Sequence, residues 1–203
     1  MSEPKSTEER RKEIISAARH LFFTKGYEAT STTDIMKAVG IAKGTLYYHF
    51  SSKEEILDAL LEDIANRMAQ RAVVVKENRE CSVVDRMIGV IMAADITSYE
   101  DGAIIEALHL PQNALLHQKS YTLSLNKLCP IMQEIVMEGI EQGIFHTDYP
   151  EAAVHMALAY SMTAFDDENI QNANLILGFV YNLERLLGAE KGCLNGFLKL
   201  FGM

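Results

Sequence analysis

The 203-residue chain lacks most of what marks an enzyme, a membrane protein or a disulfide-built secreted domain. Its three cysteines, Cys81, Cys129 and Cys193, are odd in number, far apart and without a CxxC spacing. That pattern fits a reducing compartment and excludes a disulfide framework. No apolar run approaches the ~18 residues that a membrane span requires. The N-terminal MSEPKSTEERRKE has no apolar stretch behind its charges and so does not read as a secretory leader. A cytoplasmic protein is expected. The six histidines, at 20, 49, 109, 117, 146 and 155, include no i,i+4 pair and no HExxH, which leaves a zinc site without local support. A phosphate loop, a nucleophile elbow and a GxGxxG are also missing. No catalytic residue, cofactor or metal is expected.

Convincing period-two alternation is missing as well, so no sheet is predicted and the fold class is all-α. Ser6 with Glu9 makes a capping-box signature, Ile14, Ala18, Leu21 and Phe22 form a buried stripe, and Gly26 ends the first helix. Ser51 or Ser52, with Glu54 or Glu55 three residues on, opens a fourth helix. Its Leu57, Leu60, Leu61, Ile64 and Met68 face inward, and it runs to about Val75. Further helices are expected at about 82–97, 102–117 and 121–143, the last kinked or split by Pro130. Asp148, Pro150 and Glu151 spell a capping box with an early proline at the start of a helix at about 150–165. One at about 169–187 follows, closed by Gly188. Leu194, Phe197, Leu198 and Phe201 add a short amphipathic tail that either covers the bundle or extends an interface.

The most telling stretch is TSTTDIMKAVGIAKGTLYYHFSSK, residues 30–53, where two short helical patterns meet across one glycine. Ser31 and Thr32 can start a helix, and Asp34 stands three after Ser31 as in a capping box. Ile35 and Val39 share a face, and Gly40 stands where a left-handed helix stop costs least. A second helix from about Ala42 to Phe50 turns Leu46 and Phe50 inward, leaving Lys43, Thr45, Tyr48 and His49 outside. The pair reads as a helix-turn-helix, at about 31–50.

The outward face suits a major groove, which admits one α-helix and is read by donors, acceptors and methyl groups. Lys43 can reach a guanine edge or a phosphate, Gly44 permits close backbone approach, and Thr45 offers a hydroxyl and a methyl group. Tyr47, Tyr48 and His49 carry polar tips suited to phosphate oxygens. Thr32, Thr33 and Lys53 stand at helix starts, where N–H groups also favour a phosphate. The alternative is a helical hairpin with a solvated polar face, but adjacent tyrosines are costly to leave there without a partner.

The run ATSTTDIMKAVGIAKGTLYYHFSSKEEIL resembles the DNA-binding signature of the tetracycline-repressor (TetR-type) family of bacterial transcription regulators. The resemblance covers residues 10–60, including LFFTKGYEATS of the preceding helix. It implies that Lys43, Gly44, Thr45, Tyr47 and His49 contact DNA from the third helix, Thr32 and Thr33 hold its backbone from the second, and Lys53 does so from the start of the fourth. Ala42 departs from the family, in which a hydroxyl residue often caps the recognition helix.

Charge is divided along the chain in the sense this implies. Residues 1–53 carry nine Lys/Arg against six Asp/Glu and residues 54–203 ten against 22, balances of +3 and −12 that make up the net −9. DNA is thus directed to the N-terminal end and repelled by the acidic body. Arg10, Arg11 and Lys12 are either part of that basic arm or a solvated helix face.

Two domains are expected: a helix-turn-helix domain, 1–53, and a ligand-binding and dimerisation domain, 54–203. Ala153, Ala157, Tyr160, Ser161 and Ala164 give one late helix a small-residue face, and Ile170, Leu177, Val180 and Tyr181 give the next an apolar one. These stripes either finish the core of one copy or pair two copies. By resemblance they form a four-helix bundle with their symmetry mates, and the homodimer sets two readers on a pseudo-palindromic operator. The resemblance also implies a cavity for a small-molecule effector among the middle helices. Candidate lining residues are Met92, His109, Tyr121, Met132, Met156 and Tyr160, although methionines and aromatics so placed also serve as plain core. His117, Gln112 and Asn113 are further polar groups able to orient a molecule there. Between 87 and 184 the only cations are Lys119 and Lys127, which favours a neutral or cationic apolar effector over an anionic one. The expected function is a sequence-specific transcriptional regulator, a repressor released by that effector. The alternative is a structural or nucleoid-associated DNA-binding protein on the same scaffold, controlled by a protein partner.

Overall fold

A computed structural model describes residues 6–94, 113–165 and 172–203. Among them there are helices and no strand: α1 (Thr7–Lys25), α2 (Thr32–Val39), α3 (Lys43–His49), α4 (Lys53–Lys76), α5 (Val83–Ala94), α6 (Ala114–Glu141), α7 (Pro150–Ala164), α8 (Ala173–Leu187) and a closing 3₁₀ segment, Asn195–Phe201. Residues 6–65 with 113–123 form one compact unit, and 66–94, 124–165 and 172–203 another.

In the first unit, α1 opens on the expected box, with the Ser6 hydroxyl accepting the Glu9 N–H and the Glu9 carboxylate accepting that of Ser6. Ile14, Ala18 and Phe22 of α1 are wholly buried, together with Ile35 of α2, Leu46 of α3 and Ile56 and Leu57 of α4. Leu116 of α6 joins this core, also at zero exposure. At the start of α4 the two alternatives resolve to Ser52, whose hydroxyl accepts the Glu55 N–H at 3.0 Å. The Glu55 carboxylate in turn takes the Ser51 N–H and hydroxyl.

Several expectations need correction. Pro130 does not split its helix, since α6 runs unbroken from Ala114 to Glu141. Pro130 and Asn126, whose carbonyl loses its helical partner, are both exposed, so water can take the freed acceptor. Nor does a break separate 117 from 121, where no glycine or proline calls for one. The earlier part of the 102–117 helix lies outside the described residues. α7 starts with Pro150 in its first turn as expected, but the residue before it is Tyr149 and no side chain caps it, so the Asp148 box is not formed.

The second unit is built around charge as well as apolar packing. Arg86 of α5 is almost fully buried, and its Nη1 donates to the Lys76 carbonyl at 3.1 Å and to Glu138 Oε2 at 2.9 Å. Its Nη2 completes a two-pronged pair with Glu138 Oε1, and Arg79 reaches the same carboxylate from the exposed side. The C-terminal tail covers this unit rather than standing apart from it. Leu194 and Phe197 are buried, and Glu184 of α8, itself buried, accepts the N–H groups of Gly192 at 2.8 Å and Leu194 at 3.0 Å. Gly188 ends α8 in the left-handed region at φ 62°, and a Cβ there would stand 2.3 Å from the His146 carbonyl oxygen.

The Arg86 cluster is expected to fail badly when halved, because a buried guanidinium left without its carboxylate keeps its desolvation cost. Glu138→Ala should destabilise the protein by roughly 3 kcal/mol. Urea unfolding measures this, and a change too small to resolve would show that solvent already satisfies the Arg86 guanidinium.

Candidate nucleic-acid interface

The outward face of α3 is assembled by its two neighbours. α2 begins at Ser31, whose hydroxyl accepts the Asp34 N–H at 3.1 Å while the Asp34 carboxylate accepts the Ser31 N–H at 2.9 Å. Lys25 of α1 donates to that carboxylate at 2.7 Å. Asp34 is half-buried, and the Lys25 ammonium first, then the Ser31 N–H and hydroxyl, hold its carboxyl far below the ordinary Asp value. Gly40 turns the chain in the left-handed conformation at φ 74°. α3 then starts at Ala42 with no side-chain cap.

At the far end of α3, Arg11 donates to the His49 carbonyl at 2.8 Å and lies 4.1 Å over the Phe50 ring. A cation there satisfies one of the carbonyls a helix end leaves open and matches its dipole. Arg10 pairs with Glu13 and Lys12 with Glu8, so all three residues of the basic run have partners within the protein. The sequence left Arg11 as solvated or DNA-facing. What it missed is a clamp across 38 residues, which no local signal announces.

The residues expected to meet DNA lie as follows. Leu46 is the one buried residue of α3. Lys43 and Gly44 are exposed, as are Tyr47 at 44% and Tyr48 at 75%, while Thr45 and His49 are half-buried. Thr32 is half-buried and Thr33 exposed at the start of α2. Nothing lies within 4 Å of where a Cβ on Gly44 would stand, so no contact inside the protein calls for glycine there. Lys53 differs from the others: its ammonium donates to the Tyr27 carbonyl at 2.9 Å and stands 4.1 Å over the Tyr27 ring.

The candidate effector residues are not brought to one place. Met132 lines a small apolar void of about 20 Å³ with Met87, Leu158, Phe179 and Phe197 in the second unit. That is room for about one water. Met156 and Tyr160 border a shallow groove of about 390 Å³ along α7 and α8. Met92 is exposed, Tyr121 belongs to the first unit, and His109 and Gln112 lie outside the described residues. Asn113 is buried in the first unit against the Tyr27 N–H. Of the residues expected to pair two copies, Tyr160, Leu177 and Tyr181 are exposed. Ala153 and Val180 instead fall on the inward faces with Val154, Leu158, Ile176 and Leu183, and Ile170 is outside the described residues.

Comparison with known proteins agrees with the geometry. Residues 14–60 match the family model described as bacterial regulatory proteins, tetR family, and residues 96–174 a tetracyclin repressor-like C-terminal domain. The HTH-type transcriptional repressor KstR2 of Mycobacterium tuberculosis is 31% identical over 149 residues, 68% of this chain and 70% of that protein. The chain belongs to the TetR family. Among solved structures, a TetR/AcrR-family regulator from Thermobifida fusca aligns at TM-score 0.59 and 25% identity, covering 93% of this chain and 98% of the other. A gamma-butyrolactone receptor aligns at 0.57 and 19%, covering 97% of each chain, a likeness of fold. As a TetR-family member this is a DNA-binding transcription regulator, and the family consists of regulators rather than enzymes. No described helix is long and apolar enough to cross a membrane.

The Asp34 cluster carries a pH signature. A carboxylate whose pKa is depressed by folding contributes stability above its unfolded value, here ordinarily 3.8, and loses that contribution as pH falls through the folded value. Asp34 should therefore stay ionised at about pH 3, where most aspartates have gained a proton. A ¹³C titration of the side-chain carboxyls tests this, and a midpoint near the ordinary value would disprove the Lys25–Asp34–Ser31 arrangement.

Proposed function

We propose that the chain works as a homodimeric cytoplasmic repressor that reads a pseudo-palindromic operator with α3 and is released by a small apolar effector. Residues 1–53 serve as the reader and 54–203 as the dimerisation and effector domain. The observation that carries this reading is the outward face of α3: Lys43, Gly44, Tyr47 and Tyr48 exposed together on a helix whose one buried side chain is Leu46. Two exposed tyrosines and an unneeded helical glycine are costs that DNA would turn to use, through phosphate hydrogen bonds and close backbone approach. Thr45 then reads a base edge, Lys43 a guanine or phosphate, and Tyr47, Tyr48, His49, Lys53, Thr32 and Thr33 set the register on the backbone.

Dimerisation is supported by the apolar side chains that α7 and α8 leave outside, Met156, Tyr160, Leu177 and Tyr181. A two-fold pairing there doubles the base contacts one small reader can make. For the effector, the apolar void beside Met87 and Met132 is the natural starting point. At about 20 Å³ it must open to admit a molecule, and flexible methionines allow that. Release follows if the effector binds the non-reading arrangement more tightly than the reading one. Family membership favours a regulator over a structural DNA-binding protein.

The deciding experiment is binding of the purified protein to the DNA upstream of its own gene, against random DNA of equal length, across a salt series. A footprint on a pseudo-palindrome supports the reading, whereas equal, weak, salt-sensitive binding to both DNAs counts against it. Within the reader, Thr45→Ala should cost about 1–3 kcal/mol at the specific site only, while Lys53→Ala, which removes a phosphate contact together with the grip on the Tyr27 carbonyl, should weaken random DNA as well and lower the salt slope by about one. Equal losses on specific and random DNA for both variants would overturn this division of roles.

A further inference from the structure

The turn that joins α1 to α2 is held by a residue far away in sequence. Asn113, just before α6, is wholly buried, and its Oδ1 accepts the Tyr27 N–H at 3.1 Å across 86 residues. The Tyr27 carbonyl accepts Lys53 Nζ at 2.9 Å, so this residue is gripped through both its N–H and its C=O. Thr30, also buried, closes the same turn by donating to the Gly26 carbonyl at 2.7 Å. Two further contacts tie the start of α6 to the same unit. Leu116 sits at zero exposure in the reader's core, and Lys119 donates to Glu54 at 2.8 Å and Asp58 at 2.6 Å.

None of these α6 residues belongs to the stretch, 14–60, that matches the family's DNA-binding model. Yet they complete the core on which α3 rests. A buried asparagine usually serves stability alone. Here it acts on the peptide from which α2 and α3 depart, and α3 has a single buried side chain of its own to fix its direction. A dimeric reader tolerates little error in that direction, because its two half-sites must stand one helical turn of DNA apart.

We propose that Asn113 is a positioning residue for DNA reading: by holding the Tyr27 amide it sets the turn that aims α2 and α3, so the placement of residues 113–123 governs operator affinity. This rests on the reading of α3 as the DNA-contacting helix. A displacement of that segment would then reach the reader without any group in it touching DNA.

The test uses the full-length protein and two probes: a duplex that the wild-type protein enriches from a random-sequence pool, and the unselected pool itself. Asn113→Leu keeps the number and branching of side-chain heavy atoms, at a somewhat larger volume, and removes the acceptor. It should bind the enriched duplex about tenfold more weakly while its affinity for the pool stays within about twofold and its salt slope is unchanged. Hydrogen exchange of the segment around Tyr27 should be faster. Undiminished affinity for the enriched duplex would overturn the proposal, as would equal losses on both probes with a lowered melting temperature, the mark of a purely structural role. If Asn113→Leu fails to fold, Lys119→Met decides by the same split, with an expected loss of about threefold on the enriched duplex only. A wild-type protein that enriches no duplex would instead overturn the DNA reading itself, and this inference with it.

Discussion

The burial of Leu46 and Phe50 is what makes the proposed reading surface possible. A helix of seven residues is too short to hold itself in water, since nucleation costs more than its few hydrogen bonds return. α3 persists because Leu46 is buried among Ile14, Phe22, Ile35 and Leu57, and because Phe50 leaves the helix into the same core under the Arg11 guanidinium. Each large apolar side chain so placed contributes about 1.5–3 kcal/mol. With cohesion assigned to one face, the other can be composed of groups that serve nothing inside the protein. Gly44, with no neighbour to accommodate, is such a group, and Tyr48 is three-quarters exposed although its ring meets that of His49 edge to face.

What could be read from the chain and what could not divide by sequence distance. The Ser31–Asp34 box, the left-handed Gly40, the inward Ile35, Leu46 and Phe50, and the early Pro150 are local devices, each decided within about four residues. The features that escaped are long-range. Arg11 on the His49 carbonyl, Asn113 on Tyr27, Arg86 with Glu138 and Glu184 with the tail amides join residues 8 to 86 positions apart. Each side chain looks ordinary where it stands in the sequence. Pro130 shows how far a local rule reaches: of the kink or split expected there the split does not occur, and the carbonyl that the proline orphans faces water. The apolar stripes of α7 and α8 were legible as stripes, but periodicity alone could not say that Ala153 and Val180 lie on the inner side and Leu177 and Tyr181 on the outer.

Buried charge gives the second unit a different character from the first. Arg86 and Glu184 are polar side chains placed where apolar ones would pack at lower desolvation cost, and each is retained with several hydrogen bonds. Glu184 determines where the tail goes: its carboxylate needs the Gly192 and Leu194 amides, and in satisfying it the chain delivers Leu194 and Phe197 into the core. Phe197 then forms one wall of the apolar void. The shape of that void therefore depends on a segment beyond the last long helix.

The same accounting changes how the basic N-terminal segment should be understood. A balance of +3 suggests a cationic surface awaiting phosphates, but among the described residues Arg10, Arg11, Lys12, Lys25 and Lys53 already have partners within the protein. Exposed ion pairs such as Lys12 with Glu8 contribute little, so Lys12 can exchange its carboxylate for a phosphate at small cost. Arg11 cannot do so on equal terms, because withdrawing from the His49 carbonyl would uncap α3. Lys53 lies between them: one of its three donors holds the Tyr27 carbonyl, and the other two can still meet a phosphate at the start of α4. A lysine serves both purposes where an arginine's rigid fork would not, since its point charge needs no fixed plane. On the proposed reading of α3, affinity for the DNA backbone would depend less on how many cations the segment holds than on how many can leave their partners without undoing the turns around α3.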